Sequence, residues 1–309
     1  MISEKIIIGE NTEYPLNGLL TLPDDLSKPV PAVVMVHGSG SSNMDEKIYK
    51  LTPFKDLAEG LANHNIASIR YDKRTLIYAR QMIKRCLITV KEETIDDALL
   101  AIELLRKDKR IDSNQIYILG HSMGGMLAPR IDAEGGDVKG MILMAGTPYR
   151  LEDIVVRQLN QTGNSGNFLM KAIVKLEDKI YSKKFNNLYE MSDEEAKKKK
   201  FAGSMSLYYF KEMGMKTASD YLLENEKPVF IMQGEKDFQV LADIDFKTFK
   251  EQLSNRKNTY YKLYPNLNHL FVEAYYDDIL KAVKEYKPER HIGEDVIKDI
   301  AYFITNNKI

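Results

Sequence analysis

Short apolar runs recur along the chain at residues 32–36, 66–71, 116–119, 138–145 and 228–233. They are rich in aliphatic and β-branched residues and mostly lack polar alternation, a pattern that predicts strands buried on both faces of a parallel sheet. Between them stand segments with apolar residues at helical spacing. Residues 53–63 carry Phe54, Leu57, Ala58 and Leu61, with Pro53 allowed in the first turn. Residues 94–110 carry Ile95, Ala98, Leu99, Ile102 and Leu105, opened by Thr94-Ile95-Asp96-Asp97 as a predicted capping box. Further helices are predicted to about residue 133, over 242–253 and over 295–304. Residues 6–8 and 14–22 predict two N-terminal strands, with Asn17-Gly18 marking a turn or bulge in the second. Residues 112–114 predict a turn, and 259–264 a last strand. Strand alternating with helix predicts an α/β fold, a mostly parallel central sheet with helices on both faces.

The alternation breaks twice. Residues 75–93 fit neither period and are read as a loop bordering the site. Residues 149–226 separate two buried strands by far more than an ordinary connection. They are rich in Lys, Tyr, Met and Asn, with helix-like stretches at 151–159, 168–180, 193–201 and 207–213. This segment is expected to be a helical cap inserted into the sheet domain. The organisation predicted is a core over residues 1–148, a cap over 149–226 and the rest of the core over 227–309.

Composition narrows the class without changing this picture. The 309 residues are 44% hydrophobic and 29% charged, with a formal net charge of −1. That balance gives no footprint for nucleic acid or an anionic membrane. The basic run Lys197–Lys200 follows Asp193-Glu194-Glu195 and is read as a solvated helix face. Cys86 is the only cysteine, which excludes an internal disulfide and a thiolate metal cluster. No apolar run is long enough to span a bilayer. The first residues read as a strand and not as a signal peptide, so a cytoplasmic location is expected.

Candidate chemistry gathers at the ends of the predicted strands, where sites form in such sheets. The run at 116–119 leads into Gly120-His121-Ser122-Met123-Gly124 and then a helical pattern. Gly-x-Ser-x-Gly between strand and helix is a nucleophile elbow, which lifts a serine above the sheet. The helix N-terminus behind it offers free N–H groups to a developing oxyanion. Other strand ends carry His37-Gly38-Ser39-Gly40, Asp72-Lys73-Arg74, Glu235 and Asp237, and His269. Serine, acid and histidine thus follow one another in the order of this architecture. Asp72-Lys73-Arg74 is read as a structural ion pair and not as an anion site. Tyr71, Tyr208, Tyr209 and Phe210 are read as packing residues.

Together these residues make the chain resemble an α/β-hydrolase. The resemblance is to the capped esterase and acyl-thioesterase-like branch, dienelactone hydrolase and serine aminopeptidase-like. It rests on His37-Gly38-Ser39-Gly40, Gly120–Gly125, Gly234-Glu235-Lys236-Asp237 with Val240, and Asn268-His269. It implies Ser122 as nucleophile, His269 as general base and Asp237, favoured over Glu235, as its orienting acid. The backbone N–H groups of Met123 and Ser39 are implied as the oxyanion hole.

The activity expected is cleavage of a small-molecule carboxylic ester through an acyl-enzyme on Ser122. A thioesterase or proline-type aminopeptidase on the same fold is the alternative. A non-catalytic ligand-binding protein is the alternative of another class. No cofactor or metal is expected, since neither a G-x-G-x-x-G nor a P-loop stands in the chain. Oligomeric state and natural substrate are not legible.

Overall fold

The computed structural model describes residues 1–84, 88–165, 179–203 and 205–307. Its strands are β1 (Ile2–Ile8), β2 (Leu16–Leu22), β3 (Val30–Val36), β4 (Ala67–Tyr71), β5 (Ile111–His121), β6 (Gly140–Met144), β7 (Lys200–Ala202), β8 (Met205–Ser206), β9 (Val229–Gly234) and β10 (Thr259–Tyr264). Eight of them form one sheet in the order β1-β2-β4-β3-β5-β6-β9-β10, and β7 and β8 pair in a separate ribbon. β2 runs antiparallel to β1 and β4. Every other neighbouring pair of the sheet is parallel.

The apolar runs are continuous because each central strand serves two cores. On β3, Ala32, Val34 and Val36 face one cluster while Val33 and Met35 face the other. Helix α1 (Pro53–Ala62) and the C-terminal helix Glu294–Asn306 cover the second cluster; α2 (Asp96–Lys107) and α3 (Met123–Ile131) cover the first. Each aliphatic side chain fully removed from water there contributes about 1.5–3 kcal/mol. The last helix is also pinned by polar contacts. The Tyr117 hydroxyl on β5 donates to the Ile304 carbonyl and lies at the same 2.9 Å from Asn307 Oδ1.

Several expectations need correction. Asn17 and Gly18 form no turn: they lie inside β2, opposite Ile7 and Ile6. Glycine is used there because an added Cβ would stand 2.8 Å from the Arg70 carbonyl oxygen on the adjacent strand. The helix predicted to start at Thr94 starts earlier, with a π-helical turn at Lys91–Ile95 leading into α2. Thr89 is the capping residue: its N–H and hydroxyl both bond Glu92, and its own Oγ1 accepts the Lys91 N–H. Thr94 Oγ1 is buried with no partner among the described residues. Residues 112–115 belong to β5 as a bulge, since Val30 and Ala32 pair with Ile111 and Ile116.

The described part of residues 75–93 is largely helical, with helices Arg74–Ile77 and Ala79–Lys84 before the π turn. Cys86 lies outside the described residues, as do residues 168–178 of the stretch predicted at 168–180. Between β6 and β9 run α4 (Leu151–Ser165), a short helix at Asp193–Lys198, the β7–β8 ribbon, α5 (Leu207–Gly214) and a helix at Ala218–Leu223. The ribbon and the last of these helices have no counterpart in the sequence reading. The lysine run is only partly helical: Lys197 and Lys198 end the helix, Lys199 follows it and Lys200 begins β7, with Lys197 and Lys199 paired to Glu194 and Glu195. Among the described residues no helix is long and apolar enough to cross a membrane.

Candidate active site

β5 ends and α3 begins at Ser122, which takes φ 52° and ψ −116°. A residue with a side chain is strained in the left-handed region, and it persists only where its surroundings hold it. Here the Ser122 N–H donates to the Met144 carbonyl on β6 at 2.8 Å, and its carbonyl accepts from the Met126 N–H at 3.1 Å. Close packing explains the flanking glycines. A Cβ on Gly120 would meet the Gly124 carbonyl oxygen at 2.1 Å, and one on Gly124 the Val36 carbonyl oxygen at 2.1 Å. The start of α3 is thereby pressed against the end of β3. Met123, as the first residue of the helix, has no intrahelical acceptor for its N–H.

His269 follows β10 in the turn that bears Asn268, and it is buried. Its Nδ1 lies 2.6 Å from Asp237 Oδ2, in the loop after β9. Asp237 is held from three further sides. Its Oδ1 accepts the N–H groups of Gln239 at 2.7 Å and Val240 at 3.0 Å, and its Oδ2 accepts Gln233 Nε2 at 2.8 Å. Glu235 is exposed, whereas Asp237 is 3% exposed and in contact with the imidazole. Asn268 anchors the histidine turn, donating to Glu285 Oε1 at 2.6 Å and accepting the Leu270 N–H at 2.9 Å. Glu285 in turn pairs with Arg290 at 2.9 Å.

The loop after β3 passes beside the serine: a Cβ on Gly38 would stand 3.2 Å from Ser122 Cβ. Glu46 Oε1 takes the Gly38 N–H at 2.8 Å. No hydrogen bond engages the Ser39 N–H among the described residues. Residues 72–75 brace the same loop. The Lys73 N–H donates to the Ser42 carbonyl, the Thr75 hydroxyl to the Gly40 carbonyl, and the Met44 N–H to Asp72. His37 lies buried against Phe54 and Tyr71. Burial pushes its imidazole down to about 4 against the pull of Glu46, so it is neutral at pH 7 and Nε2 donates to the Asn43 carbonyl at 3.0 Å. His121 lies 3.0 Å from Glu46 by Nδ1 and 2.9 Å from the His269 carbonyl oxygen by Nε2.

The Asp72-Lys73-Arg74 run serves structure. Arg74 pairs with Asp97, and Lys73 with Glu93 at 2.7 Å. A cavity of about 210 Å³ opens beside this pair. Met82, Ile83, Ile88 and Met205 give it apolar walls, and Glu93 and Tyr209 stand at its buried end. Tyr209 therefore does more than pack. Phe210 is core, edge-to-face with Phe185 and Phe201, and Tyr71 is core beside His37. Glu46, Gln233 and Glu93 escaped the sequence reading, and Lys73 was read only as part of a structural ion pair. Glu46 alone had a local signal, an acid nine residues after His37 in a loop built to present backbone.

Strand order, the antiparallel β2 and a serine on a strand-to-helix apex define an α/β-hydrolase. Within that class the chain belongs to the serine aminopeptidase, S33, family, whose pattern matches residues 27–274. It is 31% identical over 295 residues to the esterase EstD of Thermotoga maritima. That match covers 94% of this chain, which spans 66% of the relative's length. Its fold is similar to that of Est1E from Butyrivibrio proteoclasticus, with a TM-score of 0.58, 16% identity, and 97% and 98% of the two chains covered. A dienelactone hydrolase from Anabaena variabilis gives a TM-score of 0.55 at 15% identity, covering 98% of this chain and 97% of that one.

Proposed function

We propose that this protein is a serine hydrolase that cleaves carboxylic esters of small molecules, with Ser122, His269 and Asp237 as its triad. The observation that carries the reading is the buried 2.6 Å pair between His269 Nδ1 and Asp237, at the same carboxyl end of the parallel strands as a serine held on a strained apex. Asp237 accepts a hydrogen bond from Nδ1–H, which keeps the proton there and leaves Nε2 as the basic nitrogen. Ser122 Oγ attacks the ester carbonyl as His269 takes its proton. The oxyanion is received by the N–H groups of Met123 and Ser39. Collapse expels the alcohol, which takes the proton from His269. Water then enters by the same base and releases the acid, restoring Ser122.

Residues 149–226 are read as a cap that bounds the substrate cavity. The apolar walls suit an uncharged acyl group. The aminopeptidase alternative needs a carboxylate to receive a substrate amine. The cavity's carboxylate, Glu93, already has Lys73 on one oxygen and Tyr209 on the other, which favours the ester. EstD is named an esterase, and this supports the same choice. The expected location remains cytoplasmic.

Ser122→Ala is expected to abolish hydrolysis of p-nitrophenyl butyrate while the melting curve is retained; unchanged turnover in that variant sinks the proposal. Asp237→Asn should lower kcat by about 10³–10⁴, as for a triad left with the wrong imidazole tautomer. Glu235→Gln should stay within about twofold, as exposed substitutions do. The reverse ranking would reassign the acid.

A further inference from the structure

We propose that Lys73 is the positioning residue of the oxyanion peptide, and that Glu93 and Tyr209 lock it to the segment 149–226; this rests on the reading of Ser39 as an oxyanion donor. One peptide unit carries both groups concerned: the carbonyl of Gly38 and the N–H of Ser39. A trans peptide is planar and points the two in opposite directions, so whatever fixes the carbonyl aims the N–H. Lys73 Nζ donates to the Gly38 carbonyl at 2.8 Å. Lys73 is 2% exposed, so this bond is made out of water.

A bond from an ammonium is about twice as strong as a neutral one. By drawing electrons toward the carbonyl oxygen, it also leaves the Ser39 N–H a more polarised donor. The other end of Gly38 is fixed as well, its N–H on Glu46. A flip that turned the Ser39 N–H out of the site would break a buried charge-assisted bond.

The ammonium itself needs a partner, because a buried unpaired charge is costly. Glu93 Oε1 supplies it at 2.7 Å. Glu93 Oε2 accepts the Tyr209 hydroxyl of α5 at 2.8 Å. That hydroxyl also lies 3.7 Å from Met123 Sδ. The chain Tyr209–Glu93–Lys73–Gly38 therefore reaches both residues read as oxyanion donors. It starts on the segment that bounds the cavity, so seating of that segment and alignment of the Ser39 N–H are one event.

The test measures kcat and KM with p-nitrophenyl butyrate, together with inhibition by an alkyl trifluoromethyl ketone, which becomes an oxyanion-bearing hemiketal on the serine. Lys73→Met should lower kcat by about ten- to a hundredfold, less than or near the loss of a whole oxyanion donor. KM should move by less than about threefold, the pattern of an interaction made in the transition state. The ketone's inhibition constant should rise by a similar factor to the fall in kcat, and Lys73→Arg should recover part of both. A folded Lys73→Met with wild-type kcat and ketone inhibition overturns the inference, as does a loss confined to KM. Tyr209→Phe keeps the ring and removes the tether; it should lower kcat by about threefold to tenfold, less than the full worth of one hydrogen bond to a charged group because Glu93 still holds Lys73. Should Lys73→Met not fold, an unchanged kcat in Tyr209→Phe overturns the inference instead. Activity surviving in Ser122→Ala fails the hydrolase reading itself, whereas an inert Ser122→Ala beside an unaffected Lys73→Met fails only this one.

Discussion

Glu46 divides its two carboxylate oxygens between the loop after β3 and the elbow, Oε1 on the Gly38 N–H and Oε2 facing His121. Burial works against its charge, but His121, His37 and the Gly38 amide outweigh it and hold the carboxyl below its ordinary 4.5. Burial likewise opposes a charge on His121, and Glu46 with the His269 carbonyl raises it above 6.5 nonetheless. Between about pH 4.5 and 6.5 both groups carry their charge folded or unfolded, and the pair's contribution is complete. Above 6.5 the unfolded His121 sheds its proton first, so the contribution is lost as pH rises through the folded value. Below 4.5 the unfolded Glu46 takes a proton first, and the contribution is lost as pH falls through the folded value. Glu46→Gln should thus cost about 3 kcal/mol near pH 5.5, by analogy with other broken buried pairs, and less on either side. Urea midpoints across pH check this; a flat difference would falsify it. At this scale the sequence speaks where chemistry is local. Gly120, Ser122 and Gly124 stand within five positions, and their packing needs follow from the turn. Glu93 is silent because its partners, Lys73 and Tyr209, are 20 and 116 positions away.

Elements were legible wherever one apolar period ran unbroken, as in β3, α1 and the C-terminal helix. They were misread where two local signals compete. Thr89-Val90-Lys91-Glu92 and Thr94-Ile95-Asp96-Asp97 both match a capping pattern, and the second precedes the clearer apolar stripe. The structure uses the first because the π turn extends the helix backward to it. Thr89→Ala should accordingly cost about 1 kcal/mol of stability. Thr94→Val, which removes a buried hydroxyl without a partner among the described residues, should leave the chain as stable or more so. Equal losses in denaturant melts would return the cap to Thr94. Asn17-Gly18 fails for the same kind of reason. Its dipeptide signal is a turn, but β1 and β4 flank it and require a small residue in a central strand.

At the scale of the molecule, the length of the interval between β6 and β9 is legible in the sequence, while its attachments are out of reach of any local pattern. Arg157 on α4 meets the buried Asp245, beyond the loop that bears Asp237, and Tyr209 on α5 meets Glu93. The segment is thus fastened to the core at two places, once beyond the loop of Asp237 and once at Glu93 beside the loop of Gly38. The histidine turn is fastened from still further along the chain. Asn268, next to His269, is bonded to Glu285, and Glu285 also accepts the N–H groups of Tyr275 and Tyr276 and holds Arg290.

That last attachment bears on the order in which the protein is made. A chain emerges from its N-terminus and folds as it lengthens, so β1 to β6 and Ser122 exist long before residue 285 does. Until Glu285 and Arg290 arrive, the turn carrying His269 lacks its anchor, and the helix that closes the second core against Tyr117 is unmade. On the proposed reading of Ser122 and His269, the serine thus gains its base only once residues 285–290 have emerged. A chain stopped at residue 281 should take up no fluorophosphonate at Ser122 under conditions that label the full chain to completion, and labelling at the full rate would remove this timing from the molecule.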